Sequence, residues 1–197
     1  MDDGSPDLSF IGSEATVWPN IEEDNPHNSL PDKLDKVNIF TFPKNLGRVT
    51  HLGYWGWWRN FLFSFEIAKK YEYDKIIHIE SDCYLLNEKV VSRLENFKNG
   101  WLTFWTSKYK FPETNIQAIT QSEFHHLDNL KEIVRREKRK TFGSTVHAEH
   151  ALPFTEIDKE MIGDRYGEDM IAPSSEMDYY CQTPEGIIIS PEVFNNL

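Results

Sequence analysis

The run Tyr73-Asp74-Lys75-Ile76-Ile77-His78-Ile79-Glu80-Ser81-Asp82-Cys83-Tyr84 is the stretch on which the reading of this chain turns. A short apolar segment ends abruptly in two acidic side chains one residue apart. Its length and composition predict a strand over 75–79. Strand side chains alternate, so Glu80 and Asp82 are expected to leave from the same side of the strand's carboxyl end. Two carboxylates held that close repel each other unless a cation or a proton sits between them. Such a pair is a candidate divalent-metal site, and hard oxygen ligands favour Mg²⁺ or Mn²⁺. A solvated strand end followed by a turn would carry the same letters.

Outward from this run, periodicity predicts alternating elements. Upstream, residues 12–35 are rich in Pro, Asn, Ser and acids and read as an irregular connection. Lys36–Pro43 alternates and is β-branched, hence a strand closed by proline, and Asn45-Leu46-Gly47-Arg48 is a turn. Residues 55–70 place Trp58, Phe61, Leu62, Phe65 and Ala68 at three- and four-residue intervals, the spacing of an amphipathic helix. Downstream, a helix is expected from about 87 to 97, stopped by Gly100, and then a strand over Trp101–Thr106. Residues 115–139 read as mostly helical, starting near Pro112; 141–185 is loop-rich; Gly186–Ser190 is a last strand before a final turn or helix at Pro191. Strands alternating with helices imply an α/β chain with a Rossmann-like mixed, mostly parallel sheet flanked by helices. In such sheets ligands bind beyond the carboxyl ends of the strands, which is where Glu80-Ser81-Asp82 falls.

Bulk properties narrow the function classes. The 197 residues fit a single domain with a full core, and 14% aromatics with six Trp argue against disorder. Residues 1–35 carry nine acids against Lys33 alone, which is −8 of the chain's −11. The remainder is nearly neutral, so no electrostatic footprint for nucleic acid exists. The one basic cluster, Lys131 to Lys140, reads as the end of a helix, where cations complement the dipole; an acceptor or membrane-surface role is the alternative. Two cysteines, Cys83 and Cys181, make neither a disulfide framework nor a zinc site and suggest a reducing compartment. No apolar run has the length of a membrane span, and the acidic start is unlike a signal peptide, so a soluble cytoplasmic domain is expected.

Three fragments occur in a specific order: Asp2-Asp3-Gly4-Ser5, then Pro43-Lys44-Asn45-Leu46-Gly47-Arg48, then Glu80-Ser81-Asp82 after the apolar strand. This order resembles the nucleotide-sugar-binding half of GT-A-fold glycosyltransferases, in which an Asp-Asp-Gly-Ser loop, an Asn-x-Gly turn and an Asp-x-Asp triplet follow successive strands. More narrowly, the chain resembles the glycosyltransferase domain with which large chloroviruses decorate their capsid protein. The motifs cover roughly residues 1–107, and the remainder follows more loosely. Glu80 departs from the Asp-x-Asp pattern, which suggests that it reaches a metal through water while Asp82 ligates directly. The family also has a strand, helix and strand ahead of the loop that here opens the sequence.

The resemblance implies one glycosyltransferase domain over 1–197, with a nucleotide-sugar and metal part at 1–107 and an acceptor side at 108–197. It implies a UDP-linked donor, a glycan or glycoprotein acceptor, Mn²⁺ or Mg²⁺ as cofactor, a hexosyltransferase activity in capsid glycan synthesis, and the host cytoplasm as location. Glu80 and Asp82 would hold the ion, with Ser81 between them in the donor triplet. Asp3 would accept from the base or ribose. A cation for the diphosphate would come from Arg48 or Arg59, although Arg59 also suits a helix-surface ion pair.

Tyr54, Trp55, Trp57 and Trp58 crowd around Gly53 and Gly56. Helical spacing makes Trp58 core, and at least one of the others is a candidate to stack on a base or sugar; a second packed layer is the alternative. An inverting transfer needs a carboxylate base, and the candidates are Glu149, Asp164, Glu168 and Asp169. Of these, Glu168-Asp169 resembles the Glu-Asp motif that supplies the base in inverting relatives. His147 and His150 are candidates for a third metal ligand. His78 reads as an interior sheet imidazole. Trp101 to Trp105 and Phe111-Pro112-Glu113-Thr114 would flank sugar or acceptor, with Glu113 binding hydroxyls. Two rival functions remain: a metal-dependent phosphohydrolase or nucleotidyltransferase using the same acidic strand end, and a non-catalytic carbohydrate-binding module using the tryptophans alone, with no role for Glu80 or Asp82.

Overall fold

Alternation of apolar strands and amphipathic helices carries through into the computed structural model, which describes residues 12–22, 26–46, 54–138, 146–165 and 176–182. In chain order the elements are β1 (Thr16–Trp18), α1 (Pro26–Ser29), β2 (Asn38–Phe40), α2 (Trp55–Lys70), β3 (Lys75–Ile79), β4 (Tyr84–Leu85), α3 (Glu88–Asn96), β5 (Trp101–Thr106) and β6 (Phe111–Thr120). A 3₁₀ turn (Gln121–His126) follows, then α4 (Leu127–Lys138), α5 (Ala148–Ala151), β7 (Glu156–Asp158), β8 (Gly163–Arg165) and β9 (Tyr179–Cys181). The expected helix at 55–70 and strands at 75–79 and 101–106 are present with those bounds. The strand expected at 186–190 and the Asp2–Ser5 loop lie outside the described residues.

One expectation fails outright. Residues 111–120 form a ten-residue strand, and helix proper starts only at Leu127. The segment Thr114-Asn115-Ile116-Gln117-Ala118-Ile119-Thr120 is rich in β-branched residues, which fit a pleated surface better than a helix. Pairing on both edges, to β3 over 116–120 and to β5 on either side of a register shift between Thr103 and Trp105, then supplies ladder bonds in place of those a helix would make internally. The region 12–35, expected to be irregular, contains β1 and α1, and the loop-rich 141–185 contains three short strands and α5.

The chain gathers into two compact units, Met1–Tyr73 with His126–His147, and Asp74–His125 with Ala148–Leu197. In the first, β1 and β2 pair in parallel, Thr16 opposite Asn38 and Trp18 opposite Phe40. Phe40, Phe42 and Phe63 meet edge to face against Ile21 and Leu30. The buried stripe of α2 runs through Trp58, Phe61, Phe65 and Ala68, and α2 packs on α4. The Trp58 indole N–H donates to the Val146 carbonyl at 3.0 Å, which satisfies its one polar atom in the interior. Lys131 on α4 forms an ion pair with Glu66 on α2.

In the second unit the strand order is β3-β6-β5-β7. β3 and β5 both run antiparallel to β6, and only β5–β7 is parallel. The sheet is therefore mixed, and the mostly parallel arrangement expected from the sequence is not found among the described residues. The reason is local: only residues 107–110 separate β5 from β6, whereas a parallel neighbour needs a crossover of about a dozen residues or more. A smaller sheet orders β4-β9-β8, with β4–β9 antiparallel and β8–β9 parallel. Between them, Val90, Leu94 and Phe97 from α3 and its exit pack on Leu102, Phe104 and Ile116. Asn87 caps α3 by accepting from the Lys89 N–H at 2.9 Å. Gly100 has φ +106°, open to a residue without Cβ, and a Cβ there would meet Thr155 Oγ1 at 2.3 Å.

Candidate acidic site

β3 delivers Glu80 to its carboxyl end, and the β3–β6 ladder continues one step past the strand. Ile79 pairs with Ile116, and the Glu80 N–H donates to the Asn115 carbonyl at 3.0 Å. The chain then turns, and the Cys83 N–H returns to the Glu80 carbonyl at 3.1 Å. Asp82 thus sits at the third position of a tight turn, not two residues along an extended strand. The side-by-side placement expected from strand alternation is replaced by a turn that carries Asp82 back toward Glu80.

The two acids still sense each other. Burial pushes the Asp82 carboxyl above its ordinary range, and the charge of Glu80 pushes it further, with a smaller contribution from Glu113; its own backbone N–H and Arg165 pull the other way. Glu80 also lies 3.7 Å from Nε2 of His78, through its Oε1. His78, read from the sequence as an interior imidazole, is therefore a neighbour of the acids. Its position opposite Gln117 on β6, two residues before Glu80, puts it on the same side of the strand.

Behind the acids, β6 carries buried polar side chains that a core strand rarely has. Glu113 is fully buried and accepts from Arg165 Nε and Nη2, both at 2.6 Å, as well as from the Asn115 N–H at 2.9 Å. Arg165 Nη1 lies 3.5 Å from Glu149 Oε1, and its guanidinium stacks 4.6 Å from the Phe111 ring centroid. With its amide nitrogen turned to the acids, Asn115 bridges Glu80 Oε1 at 3.2 Å and Glu113 Oε1 at 3.1 Å. A continuous chain of polar contacts therefore runs Glu80–Asn115–Glu113–Arg165–Glu149.

Glu113 was expected to bind substrate hydroxyls; its oxygens are instead committed to Arg165 and the Asn115 backbone. Trp101, expected to flank a sugar, is wholly buried, and its indole N–H donates to Gln117 Oε1 at 2.7 Å. Trp105 is half-buried, with the Lys159 ammonium 5.0 Å from its ring centroid. Of the candidate bases, Glu149 neighbours Arg165, and Asp164 accepts the Arg165 backbone N–H at 2.7 Å. Glu168 and Asp169 lie outside the described residues, as do Asp3 and Arg48. Ser81 is exposed in the turn.

Trp55, Trp57 and Arg59 belong to the first unit. Trp57 stacks on Phe61, with centroids 4.8 Å apart and an angle of 10°, and meets Trp58 edge-on, so it forms the second packed layer. Trp55 is half-buried, with the Lys138 ammonium 5.8 Å from its ring. Arg59 is buried, its guanidinium 4.1 Å from the Phe42 centroid and donating to the Lys44 carbonyl at 2.7 Å, so it does not stand on the exposed face of the helix. His147 and His150 are exposed.

The donor set at the turn fits a hard divalent cation in kind: two carboxylates, one of them destabilised as an anion by burial and by the other's charge. Among the described residues no three His, Cys, Asp or Glu side chains converge as a metal-binding group. Two protein ligands with the remainder from water and substrate phosphates is the usual way that Mg²⁺ is held. No described helix is long and apolar enough to cross a membrane. Comparison of the chain with family models, with curated proteins and with solved structures returns no match.

Proposed function

We propose that this protein is a metal-dependent glycosyltransferase of GT-A type, moving a sugar from a UDP-linked donor to a glycan hydroxyl. The observation that carries the reading is the turn at the carboxyl end of β3, closed by the Cys83 N–H on the Glu80 carbonyl at 3.1 Å, which keeps Asp82 within electrostatic reach of Glu80. A site that penalises its own negative charge is poised to gain from a cation. The ordered motifs at Asp3, Arg48 and Glu80–Asp82 supply the substrate class.

In this reading Glu80 and Asp82 hold Mn²⁺ or Mg²⁺. When bound, the ion supplies Lewis-acid neutralisation of the departing nucleoside diphosphate. Asn115 orients Glu80 by its amide bond and ties it to the buried Glu113–Arg165 pair. Glu149, beside Arg165, and Asp164 are the candidate bases within the described residues, and the Glu168-Asp169 pair is a candidate outside them.

Calorimetric titration of UDP with and without Mn²⁺ tests the reading. Binding that Mn²⁺ strengthens, followed by sugar transfer to a glycan acceptor, is the expected result. UDP binding indifferent to chelators would remove it. Release of free phosphate without transfer would favour the phosphohydrolase alternative.

A further inference from the structure

The only two cysteines of the chain, Cys83 and Cys181, face each other across the β4–β9 pair. The antiparallel register Tyr84–Tyr180 and Leu85–Tyr179 extends by one residue to this pair, and the sulfur atoms stand 2.9 Å apart. The Leu86 N–H donates to the Asp178 carbonyl at 2.8 Å, which makes 86/178 and, two residues on, 84/180 hydrogen-bonded positions. The 83/181 pair is then a non-hydrogen-bonded one, where antiparallel Cα atoms approach to about 4.5 Å. That spacing falls inside the range of roughly 4.4–6.8 Å in which a disulfide closes without moving the backbone.

We propose that Cys83 and Cys181 form a reversible cross-strand disulfide, written by a disulfide-class oxidant such as oxidised glutathione, that anchors the turn carrying Asp82. Cys83 is half-buried and Cys181 fully buried, so Cys83 meets the oxidant first. Its sulfur attacks one sulfur of oxidised glutathione, its proton leaving with the first glutathione as the thiol. A Cys83–glutathione mixed disulfide results. Cys181 then attacks the Cys83 sulfur, and the second glutathione departs with the Cys181 proton. Two protein thiols become one disulfide, and the two electrons reduce oxidised glutathione to two thiols.

The consequence follows from position. Asp82 immediately precedes Cys83, whose N–H closes the turn on Glu80, and Cys181 pairs with Arg165 across β8–β9. The new bond would join the acidic turn to the strand beside the buried arginine. The two cysteines are 98 residues apart, and long loops lose the most unfolded-state freedom when closed. The inference stands apart from the glycosyltransferase reading, because neither metal nor donor enters it.

The reduced full chain, exposed to oxidised glutathione, is unfolded in iodoacetamide and mapped by mass spectrometry. The expected result is loss of both alkylatable thiols, a Cys83–Cys181 linked peptide, and recovery of both thiols with dithiothreitol. Hydrogen exchange of the peptide spanning the Glu80–Cys83 turn should slow in the oxidised form, and the oxidant should leave it unchanged in Cys83→Ser. A glutathione adduct that persists on Cys83, disulfide-linked dimers, or two thiols still free to alkylate would each overturn the proposal. So would a linked peptide whose turn exchanges as fast as in the reduced protein.

Discussion

Glu113 and Arg165, 52 positions apart in the chain, meet in the interior of the second unit through two 2.6 Å bonds. The pair joins β6 to β8 and leaves a carboxylate and a guanidinium almost without solvent. Burial works against the Arg165 charge, yet Glu113 outweighs it and holds the guanidinium firmly protonated. A buried pair of this kind is costly to break from one side only, because the survivor keeps its charge without compensation.

Arg165→Met is therefore expected to destabilise the fold by about 3–5 kcal/mol. The double variant Glu113→Gln, Arg165→Met should recover most of that loss, since no buried charge remains. Chemical denaturation of the two single variants and the double closes the cycle. Additive losses would show that the pair is not one energetic unit.

Asp82→Asn removes a charge that its surroundings penalise. The variant should melt at a temperature equal to or above the parent, while Mn²⁺ no longer strengthens UDP binding. Differential scanning calorimetry and titration calorimetry check the two halves separately. A clear fall in melting temperature would mean that the carboxylate supports the fold instead of burdening it.

The same residue sets a pH dependence. A carboxyl whose folded pKa is raised binds its proton more tightly folded than unfolded, so this contribution to stability falls as pH rises through the window above 3.8. Asp158 has the opposite sign. Burial opposes its charge, but N–H bonds from Glu160 and Met161 and the Arg93 guanidinium outweigh it and hold the carboxyl below the ordinary 3.8. Its contribution is present above the unfolded value and is lost as pH falls through the folded one. The melting-temperature advantage of Asp82→Asn over the parent should accordingly be larger near about pH 7 than near about pH 4. Cation binding should weaken as acid protonates Asp82.

Asn115 touches Glu80 but is not itself a proposed ligand. Asn115→Ala should lower Mn²⁺ affinity by about 10–100-fold, the effect typical of losing a group that orients a metal ligand. Titration at fixed UDP reads this directly. Unchanged affinity would show that Glu80 needs no such support.

At Gly163 a Cβ would lie 2.2 Å from the ring of Tyr179, which is fully buried on the neighbouring strand. Gly163→Ala should cost about 1–3 kcal/mol through overpacking, measured by urea denaturation. A neutral result would mean that the ring can move aside.

Much of the local structure was legible because it depends on short-range pattern. The 55–70 helix was readable from apolar residues three and four apart, and the 75–79 and 101–106 strands from compact apolar runs with turn signals at their ends. The acids at 80 and 82 were legible for the same reason, as charge placed where an apolar run stops. Trp58 as core followed from helix spacing alone. What surrounds the acids was not legible. Glu113 looked like a binder of substrate hydroxyls, because the chain from near Pro112 to 139 was read as mostly helical and the strand that buries Glu113 against Arg165 was missed, whereas His78 does lie in the sheet, opposite Gln117.

Composition and periodicity thus determined which segments form α2, β3 and β5 and that an acidic pair stands at a strand end, since each property is set by neighbours within a few residues. Tertiary structure decided that β6 is a strand, that the sheet is mixed, and that Asn115, Glu113 and Arg165 stand behind Glu80. Those outcomes depend on pairings between segments tens of residues apart. A strand's second edge and a buried charge's partner come into being only when distant chain is brought alongside, and no local window carries that energy.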